Sequence, residues 1–244
     1  LSSQYETSSG FISVGLFVAV GAAATILTTT SDGTSWSSIS YGGTENLRAV
    51  TYVNNTFVTV GGGGMIFTSS DGTSWDNRTS ASGTSNSLNG VTYGNSTFVT
   101  VGDSGTILTS SDGTSWDNRT SGRSTEFFGI TYGNNIFMAV GKTSDGNISN
   151  TIGILTSSDG ISWDNVTHPT SNSDLLGVTY ANSIFVIVGE SVIFTSSDGT
   201  TWTERTKNVN GRFNGVTYGN NTFVIVMDSQ YVLTSSNGTV WYEI

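Results

Sequence analysis

Residues 110–116 read Ser-Ser-Asp-Gly-Thr-Ser-Trp, and close copies of this phrase stand at 30–36 (TSDGTSW), 69–75 (SSDGTSW), 157–163 (SSDGISW), 196–202 (SSDGTTW) and 235–241 (SSNGTVW). They hold all six tryptophans of the chain: Trp36, Trp75, Trp116, Trp163, Trp202 and Trp241. Successive tryptophans are 39, 41, 47, 39 and 39 residues apart, and the step from Trp241 through the termini to Trp36 is again 39. A period of about 40 residues is that of a four-stranded propeller blade. A period kept across the termini fits a closed ring better than an open solenoid, which caps its ends with atypical repeats. The spacing therefore predicts an all-β fold, a six-bladed β-propeller with four antiparallel strands per blade, formed by residues 1–244 as one domain.

The unit around Trp116 sets the strand pattern. Asn89 to Tyr93 reads as a first strand, Phe98 to Val101 as a second and Thr106 to Thr109 as a third. The turn Ser111-Asp112-Gly113 then leads into a fourth strand beginning near Ser115-Trp116. The second strands, such as Phe98-Val99-Thr100-Val101 and Phe185-Val186-Ile187-Val188, are apolar at consecutive positions. They need cover on both faces, which neighbouring blades supply. The long interval contains a Gly, Ser and Asn-rich insertion, Lys142 to Thr151, expected as a loop between two strands.

Composition narrows the function. Of 244 residues, 8 are Lys or Arg and 18 are Asp or Glu, a net charge of -10. Phosphate neutralisation requires a clustered basic surface, so nucleic acid is excluded as a partner, and an anionic membrane surface with it. The apolar stretch Phe11 to Leu27 is broken by Ser13, Gly15 and Gly21 and reads as strands, so no membrane insertion is expected. Cysteine is absent, which removes disulfides, thiolate metal sites and a cysteine nucleophile. The chain begins at Leu1 without a signal sequence in view, which points to a processed or a trimmed chain, and the acidic, Lys-poor, Ser/Thr/Asn-rich composition points to a place outside a bacterial or archaeal cell.

The repeated phrase resembles the Asp-box, or BNR, repeat of sialidase-like propellers, and more closely the Ser-x-Asp-Gly-x-x-Trp variant of bacterial and archaeal surface proteins. One residue fewer separates Asp from the aromatic than in the commoner box. In physical terms Asp32, Asp71, Asp112, Asp159 and Asp198, with Asn237 in the last unit, are expected to accept backbone N–H bonds within the turn. The next glycine supplies positive φ, and the tryptophan packs between blades. One carboxylate per turn does not make the multi-oxygen shell that Ca²⁺ takes, so no metal site and no cofactor is expected.

Catalytic constellations do not assemble. The resemblance implies that a sialidase would need an arginine cluster with Tyr, Glu and Asp on the inner strands. Here Arg78, Arg119 and Arg205 follow tryptophans on outer strands, and Arg48, Arg123 and Arg212 are read in or beside connectors. His168, beside Pro169 in a connector, is the one histidine, and Gly61 to Gly64 is a hairpin turn without the Lys-Ser/Thr of a phosphate loop. No catalytic residue is assigned. Tyr52, Tyr93, Tyr132, Tyr180 and Tyr218 recur at one position, as packing residues or as stacking platforms for sugars.

Asn54, Asn77, Asn95, Asn118, Asn147, Asn165, Asn220 and Asn237 all begin N-x-S/T triplets. Asn77, Asn118 and Asn165 fall two residues after a tryptophan, where a glycan would shield an outer sheet edge. Three functions remain in order: a non-enzymatic structural or adhesive surface protein, a glycan-binding lectin, and a sialidase-like hydrolase. Within the first, self-association into a filament, sheath or layer is expected through the severed connector Leu1 to Ser9, with glycans or cell-surface proteins as further partners.

Overall fold

The computed structural model describes residues 15–29, 33–122, 124–142, 153–166, 173–206, 209–228 and 231–244. Six antiparallel sheets follow one another along the chain in the layout of a six-bladed propeller. Blade 3 is typical, with strands Leu88–Gly94, Thr97–Gly102, Thr106–Ser110 and Asp117–Thr120 paired in that order. Blades 2, 4, 5 and 6 start at Leu47, Glu126, Leu175 and Phe213 and repeat that order. Among the described residues blade 1 has three strands, Phe17–Val20, Thr25–Thr29 and Ser37–Ser40, the counterparts of a second, third and fourth strand. The fourth strand of blade 3 starts at Asp117, after the tryptophan, because Trp116 still belongs to the turn.

First and second strands are joined by two-residue turns with both φ angles positive: Asn54-Asn55, Asn95-Ser96, Asn134-Asn135, Asn182-Ser183 and Asn220-Asn221. This is the type I′ turn, whose twist matches that of the strands and which asparagine tolerates better than most residues. In blade 4 the second strand ends at Lys142 and the third begins at Gly153, so the insertion lies between two strands; residues 143–151 lie outside the described set.

The interior consists of five hydrophobic clusters, each shared by two consecutive blades. Trp116, Leu88, Phe98 and Leu108 of blade 3 pack on Val58, Val60 and Ile66 of blade 2. Trp241, Phe223, Ile225 and Leu233 of blade 6 pack on Val186, Val188 and Ile193 of blade 5. The side chains of the second strands of blades 2 to 5 are thus divided between two neighbours, which explains strands that are apolar at consecutive positions. Near the axis the first strands approach closely: a Cβ on Gly177 would lie 3.1 Å from the Cα of Gly215.

Candidate functional site

The repeated phrase folds into a closed hydrogen-bonded turn. Oδ1 of Asp71 accepts the backbone N–H groups of Thr73 and Ser74, both at 2.8 Å. Ser69 Oγ donates to the same oxygen at 3.0 Å and accepts the Gly72 N–H at 2.8 Å. The pattern recurs around Asp112, Asp159 and Asp198, and Asn237 reproduces it with its amide oxygen toward Thr239 and Val240. Asp32 lies outside the described residues. Gly113, at φ 79°, lets the chain reverse, and its carbonyl accepts the Trp116 indole N–H at 3.0 Å. Trp75, Trp163 and Trp241 bond the corresponding glycines, while Nε1 of Trp202 is buried without a partner among the described residues.

These bonds act on the carboxylates. The backbone N–H groups of Ser74 and Thr73 hold Asp71 well below the usual carboxylate range. The Thr114 hydroxyl, then the Thr114 and Ser115 N–H groups, do the same for Asp112. Asp159 and Asp198 are lowered chiefly by N–H groups of Ser162 and Thr201. Each carboxylate is spent on its own turn, and the turns are distributed one per blade.

The basic side chains are dispersed as well. Arg78 and Arg119 each pair with the aspartate two residues earlier, at 2.8 Å. Arg205 Nε reaches Thr195 Oγ1 at 2.6 Å, and Arg212 pairs with Glu190 at 2.9 Å. Arg48 corrects the sequence-based placement: it is the second residue of the innermost strand Leu47–Val53, bonded to Asn89, because that strand begins earlier than its hydrophobic pattern suggests. Arg123 and His168 lie outside the described residues.

The recurring tyrosines are packed in the ring. Tyr132 and Tyr180 lie over the backbones of Gly94 and Gly133 in the preceding blades. Each tyrosine also contacts the phenylalanine of its own second strand, with ring centroids 4.2 to 4.7 Å apart. Asn54, Asn95 and Asn220 open the type I′ turns at positive φ. Asn77, Asn118 and Asn165 are exposed on fourth strands, and Asn147 lies outside the described set. Arg78 N–H bonds Ile66 O, so the neighbouring Asn77 turns its own backbone groups toward the open edge.

The most unusual surface lies between the last and first blades. Among the described residues no buried cluster spans this sixth interface. Trp36 is 43% exposed, whereas Trp75, Trp116, Trp202 and Trp241 are 6–9% exposed. Val226 is 43% exposed, whereas its counterparts Val60, Val101, Val140 and Val188 are fully buried. Phe17 and Leu27 are only half-buried. Val224 and Val226 also wall one side of a cavity of about 440 Å³ on the axis, lined elsewhere by Val50, Val91, Ile130, Val178 and Val216 from the first strands.

This seam was not apparent from the phrase itself. Its trace in the sequence is a spacing: Phe17 to Trp36 spans 19 residues, whereas Phe57 to Trp75 and Phe98 to Trp116 span 18. By strand register Thr29 opposes Phe17 as Ser110 opposes Phe98. The extra residue shifts the phrase off that register, and the buried Thr29 hydroxyl has no hydrogen-bond partner among the described residues.

No family model matches the chain, and no curated protein does. Solved structures of β-propellers do resemble it. One is a streptogramin B lyase, at 12% identity over 99% of this chain and 85% of that one, with a TM-score of 0.74. Another is YCF48 bound to D1 peptide, at 17% identity over 94% and 78%, with a TM-score of 0.70. YCF48 from Cyanidioschyzon merolae matches at 15% identity over 82% and 71%, with a TM-score of 0.60. At such identities the likeness is one of fold, and propellers of one architecture serve unrelated functions.

Proposed function

We propose that this protein is a non-enzymatic structural or adhesive module acting outside the cell, and that it associates with copies of itself. The observation that carries the reading is where the exposed apolar side chains lie. Of eight large ones among the described residues, Trp36 is on blade 1 and Val226, Tyr231, Val240, Tyr242 and Ile244 are on blade 6. Exposed apolar residues gathered on two adjoining elements mark a contact surface, whereas scattered single ones do not. The recurring Asp, Arg and Tyr side chains are engaged in turns, ion pairs and packing, which leaves the terminal blades as the surface suited to a partner.

On this reading the repeated turn is a relative of the Asp-box used as a structural clamp. The acidic composition and the outer-edge triplets at Asn77, Asn118 and Asn165 suit a glycosylated surface protein. A peptide partner on a propeller has a parallel in YCF48 with its D1 peptide. Light scattering over a concentration series tests the reading: masses above a single chain are expected, and a monodisperse single chain throughout would overturn it. A glycan array separates the lectin alternative, which requires specific sugar binding.

A further inference from the structure

We propose that the groove between the outer strand of blade 1 and the repeated turn of blade 2 binds an uncharged saccharide, with the indole of Trp36 as its platform. The inference goes beyond the reading above by naming a ligand and its site, and it does not depend on self-association.

The two blades that wall the groove are pinned together. Tyr41, which follows the strand Ser37–Ser40, accepts the Trp75 N–H at its hydroxyl at 3.1 Å and donates to the Trp75 carbonyl at 3.3 Å. Its ring centroid lies 5.0 Å from that of Phe67. The groove between these blades measures about 350 Å³, a volume in the range of small-molecule clefts. It is lined by Thr29, Ser35, Trp36, Ser37 and Ile39 of blade 1 and by Thr73 of blade 2.

Strand register shows why this groove is open. Ser37 opposes Thr28 as Asp117 opposes Thr109, and Ile39 opposes Ile26 as Arg119 opposes Ile107. In blade 3 Arg119 reaches back to Thr109 and pairs with Asp117. Both line the corresponding groove, which measures about 240 Å³. Arg78 and Arg205 reach Thr68 and Thr195 in the same way in blades 2 and 5. Blade 1 has a serine and an isoleucine in place of the ion pair, so no charged side chain lines its groove among the described residues.

What remains has the chemistry of a sugar site. A pyranose ring presents an apolar C–H face surrounded by hydroxyls, and it is matched by a flat aromatic surface with hydrogen-bonding groups around it. Trp36, 43% exposed, is the most exposed tryptophan of the chain. Its Nε1 donates to the Gly33 carbonyl at 2.8 Å, which fixes the ring. Ser35, Ser37 and Thr73 place hydroxyl-bearing side chains beside it. Thr29 gives an independent sign of a ligand. It holds the register position of Ser110, whose Oγ accepts the Gly113 N–H and donates to Asp112. The Thr29 hydroxyl is buried and has no partner among the described residues. A buried hydroxyl left unpaired is unfavourable, and a sugar hydroxyl entering the groove supplies its partner. The uncharged lining selects a neutral sugar, because an acidic one would lose water without gaining a cation.

The test uses the full chain with methyl glycosides of glucose, galactose, mannose and N-acetylglucosamine, and a sialic acid glycoside as the charged probe. Binding is read by saturation-transfer NMR and by titration of tryptophan fluorescence. At least one neutral glycoside should bind saturably at millimolar concentration, and Trp36→Ala should weaken it at least about tenfold. Ser37→Asp with Ile39→Arg rebuilds the blade 3 arrangement while keeping Trp36. It should abolish binding while circular dichroism and melting temperature stay those of the wild type. The proposal fails if no neutral glycoside binds, if the sialic acid glycoside binds in their place, or if binding survives either variant. A failure of this kind leaves the scattering mass, and with it the self-association reading, to be judged on its own.

Discussion

The ring of Tyr180 lies on the backbone of Gly133 so closely that a Cβ added there would be 2.1 Å from the ring Cγ. Tyr132 covers Gly94 in the same way. Blades are therefore spaced near the axis by a flat ring on a residue without a side chain, and the tyrosines owe their recurrence to packing. The same position holds Val53 before Tyr93, and there the tyrosine hydroxyl is met by Asn54 Nδ2 at 2.8 Å.

Gly133→Val should therefore force Tyr180 aside at an interface built to hold it flat. Overpacking of this kind costs about 1–3 kcal/mol, measured by urea unfolding. An unchanged midpoint would show that the ring shifts freely and that the contact has little weight.

The tryptophans should differ in proportion to their burial. Trp116→Ala removes a side chain packed between blades 2 and 3 and should cost about 3–5 kcal/mol. Trp36→Ala, at the seam, should cost a monomer less than half as much. Equal losses in denaturant titrations would mean that Trp36 is buried in solution.

The turn depends on the serine as much as on the aspartate. Ser110→Ala deletes the acceptor of the Gly113 N–H and the donor to Asp112, in a buried setting. A loss of about 1–2 kcal/mol in thermal unfolding follows. Asp112→Asn should be tolerated at neutral pH, because Asn237 makes the same bonds in blade 6.

Acid should weaken the fold through the same turns. Asp71, Asp112, Asp159 and Asp198 are all held below the usual carboxylate range by hydrogen-bond donors. The unfolded chain takes up these protons more readily than the folded one. Their stabilisation is thus complete above the ordinary aspartate value, near about pH 4, and is lost as pH falls below it. Melting temperatures measured between about pH 2 and 7 should drop in that acid range. The drop should shrink in a protein with all four aspartates replaced by asparagine, and an equally steep drop there would place the acid sensitivity elsewhere.

In a host that glycosylates Asn-x-Ser/Thr, peptide mass spectrometry should find carbohydrate at Asn77, Asn118 and Asn165. It should be absent from Asn237, whose amide oxygen is held by the turn. Unmodified peptides at all three outer positions would remove the idea that glycans cover the blade edges.

Much of the ring could be read from residues 110–116 and their copies, because one turn repeated at one spacing constrains every strand between. The consecutive apolar residues of Phe185 to Val188 likewise announced a sheet covered on both faces. The seam was hidden, since Thr30 to Trp36 carries nearly the same letters as the buried copies. What sets it apart is context: one extra residue after Phe17. Such a difference becomes visible only when strand register shows which residues ought to correspond. Arg48 was misplaced for a related reason, because it is an exposed charge in second place on its strand, after Leu47, which a hydrophobic pattern does not count.

The Asp71 turn closes its Ser69 and Asp71 hydrogen bonds within six residues, from Ser69 to Ser74, with no partner from a neighbouring blade in those bonds. Such a unit is portable. A copy inserted by gene duplication arrives with its own clamp in working order, and only the tryptophan and the valines it meets must find a matching surface. Lineages of this protein could therefore gain or lose blades in single genetic steps, with selection acting on the joints between units and leaving the clamps as they are.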